Sequence, residues 1–63
     1  MQESDIVYEN GNFWVGKTRT AYEVYEIGLT HSKRRDIIGL SLPNALNRAK
    51  RRCDQRQQEA MEA

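Results

Sequence analysis

A chain of 63 residues, 38% of them apolar and with a net charge of +1, has room for one small domain and a thin core. Its composition excludes a two-domain enzyme. It also excludes a membrane helix, because no apolar run nears the ~18 residues that one needs, and a disulfide scaffold, because Cys53 is the single cysteine.

The charges are unevenly spread. Residues 1–32 carry two Lys/Arg against five Asp/Glu, hence −3, and residues 33–63 carry eight against four, hence +4. Such a split suits an anionic partner or self-complementary pairing. Met1 to Asp5 has neither the basic start nor the apolar middle of a secretion signal. With a free thiol, this points to the cytoplasm.

Ile6 to Glu9 is a short β-prone run, followed by Asn10-Gly11 and a second run, Asn12 to Val15. Asn-Gly between two such runs predicts a type I′ hairpin, since both residues tolerate positive φ. A third strand is predicted over Ala21 to Ile27, reached through Thr18-Arg19-Thr20. After a turn from Gly28 to Ser32, a last strand follows over Arg34 to Ile38. Short connections make these three or four strands an antiparallel meander.

The rest reads as helix. Ser41 is expected to cap it, with Pro43 tolerated in the first turn. Leu42, Ala45, Leu46, Ala49 and Cys53 fall on one stripe at helical spacing. The pattern fades after Cys53, so a helix over about 41–58 with a frayed tail is expected. The fold class is therefore α+β, a single domain over 1–63 with strands within 5–39 and one helix packed across one sheet face.

A single helix covers only one face. Phe13, Val15, Tyr22, Val24 and Ile38 are predicted inside, and Trp14, Tyr25 and Ile27 on an exposed sheet face. A β-bulge that brings both sets into one core is the alternative. A twofold homodimer burying Trp14, Tyr25 and Ile27 would cover such a face.

Gly11 to Thr18 matches the phosphate-loop pattern G-x-x-x-x-G-K-[ST]. Its interior, Phe13-Trp14-Val15, favours strand, and no helix signal follows Lys17, so the match is read as a coincidence of hairpin glycines. His31 and Cys53 are too few for a structural zinc site, and no nucleophile–base motif accompanies His31. No metal, cofactor or catalytic residue is expected, and the chain is read as a non-enzyme. The binding candidates are basic: Lys33, Arg34 and Arg35 at the turn into the last strand, and Arg48, Arg51 and Arg52 on one helix flank. The like-charged pairs Arg48/Arg52 and Arg52/Arg56 weaken an isolated helix. Phosphates or acidic groups on a protein partner would account for them, as would a solvated flank.

Gly11-Asn12-Phe13-Trp14-Val15, followed by Ile38-Gly39-Leu40-Ser41-Leu42-Pro43-Asn44-Ala45, resembles the small arm-site-binding domains of phage and transposon tyrosine integrases over about two-thirds of the chain. The resemblance implies a three-stranded sheet with a helix on one face. It also implies an exposed sheet face that enters the DNA major groove through Trp14, Lys17, Arg19 and Tyr25. Two functions are expected from these readings. One is a phage- or mobile-element-type accessory protein that contacts nucleic acid, with Trp14 and Tyr25 available for stacking. The other is a protein-interaction module, either a homodimer or a small inhibitor of a larger host protein.

Overall fold

The computed structural model describes residues 6–62; Met1 to Asp5 lie outside the described residues. Strands β1 (Ile6–Asn10), β2 (Phe13–Lys17), β3 (Ala21–Glu26) and β4 (Lys33–Gly39) form one antiparallel sheet in the order β1-β2-β3-β4. Helix α1 (Ala45–Glu62) packs against one face of it and touches all four strands. The α+β meander with a C-terminal helix is thus observed, with four strands rather than three.

The first hairpin turns one residue later than the Asn-Gly signal implied. Asn10 pairs with Phe13, so the two-residue loop is Gly11-Asn12. Gly11 alone has positive φ, 60°, which is the pattern of a type II′ turn rather than type I′. Asn10 stays in the strand because its side-chain amide donates to Asp54 on the helix, at 2.7 Å. In the next turn the Thr18 hydroxyl takes the backbone role, accepting from Ala21 N and donating to Ala21 O, each at 3.0 Å.

Pairing defines which side chains share a face. Tyr8, Val15, Val24 and Asp36 lie in one cross-strand row, and Lys17, Tyr22 and Ile38 in another, both toward the helix. Phe13, Val15, Val24, Ala49 and Cys53 form the core, with Tyr8, Tyr22 and Ile38 packed against it. The helix contributes Ala45, Ala49 and Cys53, four residues apart and all buried. A stripe this small brings the helix axis close to the sheet, and the strands supply the bulk. Leu42 is not part of that stripe: it precedes the helix and is 46% exposed.

The helix begins at Ala45, later than the Ser41 cap suggested. Asn44 adopts φ 56°, a left-handed conformation that no helical residue has but that asparagine tolerates. Its carbonyl accepts the first helical bond, from Arg48 N at 2.9 Å. At the other end the helix continues to Glu62 instead of fraying after residue 58. Gln, Arg, Glu, Ala and Met all favour helix, and a Gln58–Glu62 bond at 3.3 Å adds an i, i+4 link.

Ala49 tests this close approach. With Ala49 fully buried between helix and sheet, Ala49→Leu should destabilise the protein by about 1–3 kcal/mol in urea denaturation. Ala60→Leu, on an exposed turn of the same helix, should stay within about 0.5 kcal/mol.

Candidate functional site

Each edge strand carries one bulge. In β1 the register slips between Ile6 and Tyr8, and in β4 residues Val24 and Tyr25 face Asp36 and Arg34, which leaves Arg35 as the extra residue. In a regular strand, Arg34 and Asp36 would point the same way. The bulge separates them: Asp36 turns to the helix and Arg34 to the open face.

That separation decides the fate of most of the basic residues. Asp36, with a side chain 12% exposed, accepts from Arg52 Nη2 and Arg56 Nε, both at 2.9 Å. Arg34 bridges Glu23 at 3.1 Å on the open face. Arg35 Nε donates to Glu26 at 2.8 Å. Arg48 Nε donates to the Pro43 carbonyl at 2.7 Å. Of the six residues singled out in the sequence, Arg34, Arg35 and Arg52 are therefore neutralised within the fold, and only Lys33 and Arg51 have no bond to a described side chain or carbonyl. Nor are the six together. Lys33 to Arg35 start β4, whereas Arg48 and Arg51 begin the helix, which follows the opposite end of that strand.

The exposed aromatic face is corrected at Trp14, which is buried. Trp14 and Tyr25 are direct cross-strand partners whose rings stack, centroids 4.3 Å apart and planes within 9°. The indole Nε1 donates to Ser32 Oγ at 3.2 Å. Trp14 is only 9% exposed and Tyr25 half-buried, because the two rings cover each other. The Tyr25 hydroxyl donates to Glu23 at 2.7 Å, which raises its pKa above the ordinary tyrosine value. Ile27 lies beyond the end of β3 and is 52% exposed.

A different cluster emerges. The β2–β3 turn, the β4–α1 connection and the first turns of α1 meet at one end of the sheet, linked by Leu40 N to Thr20 O at 3.0 Å. Neither residues 10–22 nor residues 37–53 contain an acid. This end presents Lys17, Arg19, Arg48 and Arg51, all exposed, beside a helix N-terminus whose first turn has no acidic residue. Asn44, Asn47, Arg48 and Arg51 line a cleft of about 180 Å³ there. The nearest acid along β3 is Glu23, already bonded to Arg34 and Tyr25. Positive helix dipole and four cations thus add at one place. As nucleic-acid contacts, Lys17 and Arg19 entered the sequence reading only through the integrase resemblance; Lys17 otherwise figured in the phosphate-loop match. The two acid-free stretches, joined by an antiparallel meander, were the signal that linked them to Arg48 and Arg51.

The phosphate-loop match falls in the hairpin turn, in β2 and at the residue just after it, with no helix at Lys17. Among the described residues there is no group of three or more His, Cys, Asp or Glu that could hold a metal ion. No described helix is long and apolar enough to cross a membrane. Cys53 is fully buried, and burial, with Asp54 adding, pushes its thiol pKa up to about 11. Compared with family models, with curated proteins and with solved structures, the chain matches none.

Asp36 gives a pH test. Its bond from Arg56, aided by Arg52 and opposed by burial, holds the carboxyl pKa below its ordinary value. A folded value below the unfolded one means the stabilisation is complete above about pH 4 and is lost as pH falls through the folded value. Asp36→Asn should therefore cost about 1–2 kcal/mol in urea denaturation near neutral pH. Variant and wild type should converge as pH falls below the lowered folded value; a pH-independent gap would contradict this account.

Proposed function

We propose that the protein is a non-enzymatic binding protein that contacts nucleic acid through its basic end. The observation that carries this reading is the segregation of charge: Lys17, Arg19, Arg48 and Arg51 share one end with no acid among the described residues there. Phosphates are the groups that such an array of exposed, flexible cations would bind without sequence preference. The surface differs from the sheet face implied by the integrase resemblance. The centre of that face holds a Trp14–Tyr25 stack and the Glu23–Arg34 bridge, so its two aromatics are already engaged with each other.

One observation favours a second reading, a protein partner or a second copy on the open sheet face. Ile37, opposite Glu23 in that face, is 52% exposed.

The two readings separate cleanly by mutation. Arg19→Glu with Arg51→Glu should weaken binding to mixed-sequence nucleic acid by about tenfold or more at low salt. Lys33→Glu, at the far end, should change it by less than about twofold. For the wild type, four phosphate contacts imply a slope of log affinity against log salt of about −3 to −4. Loss of function in Ile37→Glu, with the double arginine variant intact, would instead select the protein partner.

A further inference from the structure

We infer that the nucleic acid held by the basic end is a duplex, gripped by its backbone with no base stacked on the protein. This rests on the proposed binding function and narrows it to a substrate class.

The inference comes from what the aromatic residues are already doing. Proteins that hold single strands without sequence preference combine a cationic groove with aromatic side chains on which successive bases stack. The chain has five aromatic residues; Phe13 and Trp14 are buried and the three tyrosines half-buried. Phe13 is core. Tyr22 packs against that core. The Tyr8 hydroxyl donates to Asp54 at 2.7 Å, and Lys50 Nζ lies 5.5 Å from its ring centre. Trp14 and Tyr25 lie face to face, each covering one face of the other. Flexible unpaired bases would find no fully exposed ring to stack on, whereas a duplex keeps its bases stacked on one another and presents its phosphates and sugars.

The surface between the cations fits that partner. Leu40 and Leu42, on the connection joining the two groups of cations, are 37% and 46% exposed. Neither offers a flat ring to a base, but both suit the apolar sugar edges that line a groove wall. Cations for phosphates, with no flat ring presented between them, suit a duplex held by its backbone. Because phosphate and sugar are common to duplex DNA and duplex RNA, the test includes both.

Three fluorescently labelled probes of mixed sequence distinguish the outcomes: a DNA duplex two helical turns long, the same duplex in RNA, and one DNA strand alone. Each is titrated with the full chain at low salt, while Trp14 emission is followed in parallel. At least one duplex should bind about tenfold or more tighter than the single strand, with Trp14 emission unchanged. The duplex that binds better identifies the sugar. Equal or tighter binding of the single strand, or quenching of Trp14 by a bound base, overturns the inference and leaves nucleic-acid binding standing. If no probe binds, the proposed function itself fails. Arg19→Glu with Arg51→Glu should abolish the duplex preference, which ties it to this end.

Discussion

At Arg35 the β4 strand gains one residue over its neighbour, and much of the molecule's charge arrangement follows from that insertion. Without it, Asp36 and Arg34 would share a face, and the helix would meet either the acid and the base together or neither of them. With it, Asp36 receives Arg52 and Arg56 from α1, while Arg34 is delivered to Glu23 on the opposite side. The helix is then fastened along both flanks, to β4 through Asp36 and to β1 through the Tyr8 and Asn10 bonds to Asp54. These polar ties matter because the helix has little else. Its buried stripe is Ala45, Ala49 and Cys53, which contributes close contact but modest apolar area.

The fold was largely legible in the sequence, and the reasons are local. Alternation over Phe13 to Val15 and Ala21 to Ile27, the glycine of the first turn and the four-residue spacing of small helix residues each act over a few positions. What escaped depends on partners far apart in the chain. A bulge leaves no mark on the alternation of Lys33 to Ile38, since an extra residue there is indistinguishable from a strand one residue longer. Trp14 looked exposed because its cover, Tyr25, sits eleven positions away on the next strand. Asn44 resembled a residue inside the first helical turn until its left-handed φ set the true start.

The basic residues illustrate the same limit in the candidate site. Read along the chain, Lys33-Arg34-Arg35 and Lys50-Arg51-Arg52 are the densest positive runs. In the fold Arg34, Arg35 and Arg52 of these runs are answered by acids on β3 and β4, whereas Lys33 and Arg51 are not. The sparser Lys17, Arg19, Arg48 and Arg51 have no such company among the described residues. Local charge density therefore pointed partly to structural ion pairs, and the absence of acids, a property of two separated stretches, marked the surface left for a partner. Both edge strands are bulged, which blunts them against strand-to-strand pairing. The ends and the open face are thus the surfaces left for recognition.

The single buried thiol has a consequence of its own. Cys53 is sealed at the helix–sheet contact, with no exposed surface and a pKa near 11, so in the folded protein almost none of it is the reactive thiolate at neutral pH. Alkylating or oxidising reagents can reach it only when the helix lifts from the sheet. The chain therefore carries a built-in clock: the rate at which Cys53 is modified reports how often the domain opens, without any label or engineered probe. Anything that clamps α1 to the sheet, a bound partner included, would slow that clock.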